Sequence, residues 1–281
     1  MKILVISNNK GGVGKTFTSK TLAEYAVIVK NKKVLLIDLD PQCNLSRRFL
    51  DMPIDADGDY EPPKHPEYAG DDDWDGTSSA ANIWLDPSNI VPYPTRFEGL
   101  DILPGHSKDL QKVEYVRQGE IKEQVIERLR DLLKTDEVQE SYDYVIVDTR
   151  PSKGPLVQAA MRAATNVIIP TEMAHPSVEG LQGMLSLLVE MDNLYGECPR
   201  LDAIVGNRVR ENASVFKAIR DSLRENPITA PYLLKDHFAL LADYEKSMLF
   251  GSPSLFEMSD SLKAAVQAKH VCKELLARVE D

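Results

Sequence analysis

The chain has 281 residues, 43% hydrophobic and 27% charged, which is enough for a real core and suits one large α/β domain or two small ones. It has no run of 18 apolar residues, so no membrane span is expected. The net charge of −11 argues at first against nucleic acid, but residues 51–80 alone hold ten Asp plus Glu and one Lys, a net of −9 that leaves −2 for the rest and does not exclude a basic face elsewhere.

In chain order, Lys2–Ser7 is a short apolar run that stops at a glycine-rich loop, as a buried parallel strand does. No basic n-region or small-residue cleavage site precedes it, so no signal peptide and a cytoplasmic location are expected. Thr16–Lys30 carries Leu22, Ala23, Ala26, Val27 and Val29 at helical spacing, and Val34–Leu39 is a second buried strand ending in Asp38-Leu39-Asp40-Pro41. Strand, loop, helix and strand make one βαβ unit of a parallel sheet. Residues 51–80 differ in kind: Pro53, Pro62, Pro63, Pro66 and the run Asp71-Asp72-Asp73 mark a partly mobile surface insertion. An acidic docking arm or DNA mimic is the alternative, for which Tyr68 and Trp74 leave room.

Order resumes at Leu100–Leu103, a polar amphipathic stretch covers Ile121–Leu133, and Tyr144–Asp148 is a third apolar run. Further strands are expected at Val167–Pro170, Ala203–Asn207 and Tyr232–Leu234, with helices near 155–164, 177–194, 212–225 and 258–279. The alternation predicts one α/β domain over 1–281, a doubly wound, mostly parallel sheet flanked by helices. Cys43, Cys198 and Cys272 form no CxxC and no zinc spacing and are expected to be reduced structural thiols.

The loop after the first strand reads Lys10-Gly11-Gly12-Val13-Gly14-Lys15-Thr16. A triphosphate needs many donors aimed at one place. Consecutive backbone N–H groups supply them where Gly11, Gly12 and Gly14 let the chain wrap closely, and the following helix adds the partial positive charge of its N-terminus. Lys15 is expected to bridge the β- and γ-phosphates of ATP, and Thr16 to ligate Mg²⁺ through its hydroxyl. Average residue usage gives such a pattern a chance probability on the order of 10⁻⁵ in a chain of this length, which discounts an accidental turn.

The ordinary phosphate loop, GxxxxGK[ST], would have Gly at position 9; here Asn9 is followed by Lys10. At this point the chain resembles the ParA/MinD family of deviant Walker ATPases, whose signature is KGGxGK[ST]. The resemblance implies a P-loop NTPase whose Lys10 crosses a homodimer interface to the other subunit's nucleotide, stabilising charge on the transferring phosphoryl group as an arginine finger does. Asp38-Leu39-Asp40-Pro41-Gln42-Cys43-Asn44-Leu45-Ser46 is similar to the family's DxDPQGNxS segment, which implies that Asp40 orients the attacking water. Tyr142–Ser152 is similar to the second switch, YDxxxxDxPPS, which implies that Asp148 holds the water shell of Mg²⁺. By this resemblance Lys10, Lys15 and Asp40 are catalytic, and Thr16, Asp40 and Asp148 form the metal site. Val205-Gly206-Asn207-Arg208 resembles the adenine-reading element, which adds Asn207 and Arg208 to the loop residues Gly11 to Phe17 as ATP contacts. A turn asparagine is the alternative for Asn207.

Three residues depart from the family pattern. Phe17 replaces a usual Thr, removing a hydroxyl contact to the α-phosphate. Cys43 replaces a usual Gly and is strained if the position needs φ > 0. Arg150 replaces a proline and contacts the second subunit, an adaptor or solvent.

Within the family, ParA-like proteins use nonspecific DNA as a track and MinD-like proteins use membrane through a terminal basic amphipathic helix. The end Arg278-Val279-Glu280-Asp281 and the Asn at position 9 favour the ParA branch. The resemblance then implies a slow, partner-stimulated ATPase that forms an ATP-dependent sandwich dimer, binds nonspecific DNA and positions plasmid or chromosome cargo with a ParB-like or other adaptor. Arg208, Arg210, Lys217, Arg220, Lys246 and Lys263 are the candidate DNA phosphate contacts, with solvated helix charges as the plain alternative. Positioning of a protein organelle is a second reading. An iron–sulfur reductase on the same core is a third, which the scattered cysteines disfavour.

Overall fold

The computed structural model describes residues 1–70, 73–116 and 119–281. Among these, the strands are β1 (Lys2–Ile6), β2 (Val34–Leu39), β3 (Tyr93–Pro94), β4 (Leu100–Leu103), β5 (Tyr144–Thr149), β6 (Asn166–Glu172), β7 (Arg200–Val209) and β8 (Leu233–Ala239). They form one sheet in the order β3-β4-β2-β5-β1-β6-β7-β8, parallel throughout except for β3 against β4. The helices are α1 (Lys15–Ile28), α2 (Ser46–Phe49), α3 (Asn82–Leu85), α4 (Ser107–Glu114), α5 (Gly119–Leu133), α6 (Asp136–Ser141), α7 (Pro155–Ala163), α8 (His175–Tyr195), α9 (Ser214–Glu225), α10 (Ala242–Lys246) and α11 (Lys263–Glu280).

The period of two along a strand explains why the central strands read as unbroken apolar runs. Ile3 and Val5 of β1 point into a layer with α5, α7, α8 and α9, whereas Leu4 and Ile6 point into a layer with α1 and α11. Both faces are covered, so every residue of β2 and β5 is buried. The paired strands β1 and β5 hand the chain to helices on opposite faces, α1 on one and α7 on the other. Such a divergence opens a crevice at the carboxyl ends of the strands, where ligands of open α/β sheets sit.

The strands and helices expected from the sequence are present, with shifted ends. β8 runs well past the expected Tyr232–Leu234, because its Lys235-Asp236-His237 centre hides the apolar signal of a sheet-edge strand. Glu274 of α11 accepts the Lys235 and Asp236 N–H groups, and His237 meets Glu211 at 3.2 Å. The apolar face of α11, including Val271, Leu275 and Val279, is buried in the core. No helix among the described residues is long and apolar enough to cross a membrane.

Asp71 and Asp72 of the insertion lie outside the described residues. Its remainder folds against the β3 edge: the Tyr93 hydroxyl donates to the Pro63 carbonyl (2.8 Å) and accepts from the Ser78 N–H, and His65 stacks edge-on against the Tyr93 ring (4.7 Å). Asp55 and Asp57 pair with Lys108 of α4, and Tyr60 lies under the Arg47 guanidinium at 4.3 Å. The first part of the insertion is thereby docked onto α2 and the start of α4.

Candidate active site

The glycine-rich loop leaves β1 and delivers the chain to α1. Gly12 and Gly14 have φ of 77° and 86°, the left-handed region that glycine tolerates without a Cβ clash. At Gly14 a Cβ would stand 2.0 Å from Asn207 Nδ2, so this position also needs glycine for space. Among the described residues no side chain caps the N-terminus of α1, and no acidic residue lies in its first turn, so its N–H groups are available to an anion. Lys15 is 6% exposed, with Nζ donating to the Lys10 carbonyl at 3.1 Å. Burial pulls its pKa down, while Asp148 and Asp40 oppose the shift.

Register brings the carboxylates together. β2 and β5 are paired so that Asp38 stands beside Asp148 at the ends of adjacent strands, both fully buried. Asp38 organises the first switch: its Oδ2 accepts from the Ser46 N–H (2.9 Å) and hydroxyl (2.6 Å), and its Oδ1 accepts from the Asp40 N–H (3.1 Å). Asp40 stands clear of it at the cleft, closing a turn by accepting the Gln42 N–H at 3.0 Å.

Asp148 Oδ1 accepts from the Ser19 hydroxyl at 2.9 Å, and the Thr16 hydroxyl also faces the carboxylate. Its Oδ2 is buried without a hydrogen-bond partner among the described residues. An orphaned carboxylate oxygen beside a threonine hydroxyl and a second Asp is the all-oxygen set that Mg²⁺ takes. Burial, reinforced by Asp38, pushes Asp148 up from 3.8 to about 8. An acid raised in this way holds its proton more tightly folded than unfolded, so the nucleotide-free protein loses stability as pH rises from about 4 to about 8. A bound cation needs the ionised form. The rise in Tm on adding ATP with Mg²⁺ is therefore expected to grow between about pH 6 and 8.5 in the native chain and to lose that growth in Asp148→Asn. Matching pH profiles for the two proteins would remove Asp148 from the metal site.

A cleft of about 1400 Å³ is lined by the loop, Asp40 to Gln42, Arg47, Gln111, Glu114, Arg150, Lys153, Arg208 and Met248 to Phe250. Arg208 is on its wall with φ of 52° and pairs with Glu172 and Glu245. Lys10 reaches the same Glu172, Nζ to Oε2 3.5 Å.

Two sequence-predicted contacts are placed differently. The Phe17 ring is turned from the cleft into the core, meeting Phe238 edge-on at 5.0 Å and Tyr244 at 4.9 Å, because the first turn of α1 packs against β8 and α10. Asn207, expected at the adenine, is 2% exposed and has both ends of its amide engaged: Nδ2 donates to the Gly14 carbonyl (3.2 Å) and Oδ1 accepts from the Arg208 N–H (2.8 Å). In this conformation it braces the phosphate loop. Of the six candidate DNA contacts, Arg208, Arg220, Lys246 and Lys263 have acidic partners.

Cys43 does stand in the left-handed region, φ 52°. It is buried under the first switch, with Sγ 3.7 Å from the Ser107 hydroxyl, and a Cβ on Gly105 would come within 2.9 Å of that sulfur. Cys43→Val is expected to lower stability by about 2–4 kcal/mol, since a β-branched residue tolerates this backbone least. Cys43→Gly is expected to stay within about 1 kcal/mol, relief of strain offsetting lost packing. Thermal unfolding of both variants checks this, and a Cys43→Val protein as stable as wild type contradicts it.

Asp38, Ser46, Ser19, Glu114 and Glu172 also serve the site. The Asp-x-Asp pair at a strand end marks Asp38, and the position of Ser19 one helical turn after Thr16 marks Ser19; Ser46, Glu114 and Glu172 have no such local signal.

Fold and loop together define the P-loop NTPase fold, built on a doubly wound sheet. The family described as AAA domain matches residues 1–196, and the chain belongs to it, within the ParA/MinD group. The chain is 31% identical over 187 residues to the sporulation initiation inhibitor protein Soj of Bacillus subtilis strain 168, covering 66% of this chain and 64% of Soj. It is 32% identical over 182 residues to the chromosome partitioning protein ParA of Myxococcus xanthus strain DK1622, covering 64% of this chain and 55% of that protein. The matched region thus spans less than two thirds of these curated relatives. An ATP complex of a Cyanothece McdA variant superposes with a TM-score of 0.74 at 22% identity, covering 99% of this chain and 96% of that one. A plasmid partition protein from Borrelia burgdorferi superposes with a TM-score of 0.66 at 19% identity, covering 99% of each chain. At these identities the structural likeness is one of fold.

Proposed function

We propose that this chain is a partition or positioning ATPase of the ParA type, which binds ATP with Mg²⁺, closes into a sandwich dimer and hydrolyses ATP slowly until an adaptor stimulates it. The observation that carries the reading is the convergence of Lys15, Thr16 and Asp40 on one cleft at the N-terminus of α1, with the orphaned Asp148 carboxylate buried behind the Thr16 hydroxyl. Loop N–H groups and Lys15 hold the phosphates, Thr16, Asp40 and Asp148 hold the cation, and Asp40 orients water. Mg²⁺ in that position neutralises charge on the phosphoryl group.

The cleft rim supports the dimer. Ile54, Leu249 and Phe250, which border the cleft, are 59%, 63% and 56% exposed, an apolar border that a second copy would cover. Lys10 would leave Glu172 to reach the other subunit's phosphates. Nonspecific DNA as the track and a ParB-like or other protein as adaptor belong to the same proposal, supported by the resemblance of the switch and loop motifs to the ParA branch. The cargo, whether plasmid, chromosome or protein organelle, is set by the adaptor.

Sedimentation with ATP and Mg²⁺ is expected to show a doubled mass, with DNA binding that weakens steeply between about 50 and 200 mM salt. A monomer under saturating ATP would overturn the dimer reading. A dimer without salt-sensitive DNA binding would overturn the DNA track.

A further inference from the structure

Helix α4 touches both switch segments, one at each end. At its start, the Ser107 hydroxyl donates to the Pro41 carbonyl (2.7 Å), accepts from the Tyr60 N–H (3.1 Å) and meets the Cys43 sulfur. At its end, the Glu114 carboxylate accepts from the Ser152 hydroxyl (3.0 Å) and the Leu156 N–H (3.4 Å), and Arg150 Nη1 approaches it at 3.6 Å. The fit is close: a Cβ on Gly154 would stand 2.0 Å from Glu114 Oε1. Glu114 thus serves the N-terminus of α7, which has no side-chain cap of its own. Between the two ends, Leu110 and Val113 are buried in the core, so the helix is fixed as a rigid piece about 12 Å long.

Cys43 and Arg150, two of the three departures from the family pattern, contact opposite ends of this one helix. We propose that α4 is a strut that sets the two switch segments relative to each other, and that Glu114 is a positioning residue for the second switch, acting through Arg150, Ser152 and the start of α7. A shift of the second switch on nucleotide binding or hydrolysis is then carried through α4 to Pro41, next to the water-orienting Asp40. This rests on the ATPase reading above.

Amide hydrogen exchange on the nucleotide-free protein tests the strut without any need for turnover. Glu114→Ala is expected to speed exchange about fivefold or more both at 150–157 and, remotely, at 41–46, with the central strands unchanged. Glu114→Gln removes the charge and keeps one acceptor oxygen, which serves the Leu156 N–H while the new amide donates to the Ser152 hydroxyl oxygen, and it is expected to restore most of the protection at Leu156. In ATP turnover, Glu114→Ala is expected to lower kcat about tenfold with KM changed less than twofold. Faster exchange confined to 150–157 would overturn the coupling. Faster exchange throughout the chain, or kcat and KM unchanged, would make Glu114 merely structural and overturn its positioning role. Absence of turnover in the unmodified chain would overturn the ATPase reading and leave the exchange result to stand or fall alone.

Discussion

Lys15→Ala is expected to weaken ATP binding by about a hundredfold or more, close to 3 kcal/mol. The reason is local charge. The Lys15 ammonium is held at the cleft by burial and by the Lys10 carbonyl, and Asp40 and Asp148 are the charges that oppose its loss of a proton. Without Lys15, a polyanionic ligand at the loop meets the nearby Asp40 and Asp148 without the cation that offsets them. Lys10 sits differently, 28% exposed on its side chain and paired with Glu172. Lys10→Ala is therefore expected to keep ATP affinity within about threefold while hydrolysis falls about a hundredfold or more, the behaviour of a cation supplied in trans. Fluorescent-nucleotide titration beside phosphate release separates the two. Equal loss of binding in both variants would show that Lys10 serves its own subunit's nucleotide and would overturn the shared-site reading.

Glu24→Leu is expected to destabilise the protein by about 3–5 kcal/mol, a fall in Tm of roughly 10 °C or more. Glu24 lies on α1, where twelve residues are buried, and it holds two cations at once: Lys20 Nζ at 3.0 Å and Arg48 Nη2 at 3.1 Å, all three essentially without exposure. The Ser254 hydroxyl donates to Glu24 Oε2, the oxygen that also faces Lys20, at 2.6 Å, and Arg48 also donates to the Ser252 carbonyl. Burial pulls the pKa of both Lys20 and Arg48 down, with Glu24 the main opposing charge. Removing Glu24 leaves two buried cations without an anion. Replacing the whole triad by Lys20→Met, Glu24→Leu and Arg48→Met is expected to recover most of the loss, because desolvation of the three charges disappears together with their attraction. Thermal unfolding followed by circular dichroism decides this. A Glu24→Leu protein within 2 °C of wild type (about 1 kcal/mol or less) would mean that water reaches the triad.

The triad also shows which kind of fact the sequence withholds. Helical spacing of Leu22, Ala23, Ala26 and Val27 announces α1, but Lys20 and Glu24 read as its solvent face. They are buried because α2, 24 residues away at Arg48, and the 252–257 segment, 230 residues away at Ser254, close over that side. α4 escapes notice for a related reason. It has eight residues and two buried apolar positions, too few for a periodic signal.

The sequence by itself determined the nucleotide loop, the buried parallel strands and the carboxylates at their ends. Each is a local pattern: glycine where the backbone must wrap an anion, unbroken apolar runs where both sheet faces are covered, and Asp where an apolar strand stops. Only the tertiary structure decided how these parts face one another. The β2–β5 register set Asp38 beside Asp148, the packing of α1 on β8 turned Phe17 into the core, and Asn207 became a brace because Gly14 leaves room beneath the loop. Lys10 and Arg208 share Glu172, and α4 spans both switches. These are pairings between residues from about 35 to more than 220 positions apart, fixed by strand register and side-chain packing, which no local pattern records.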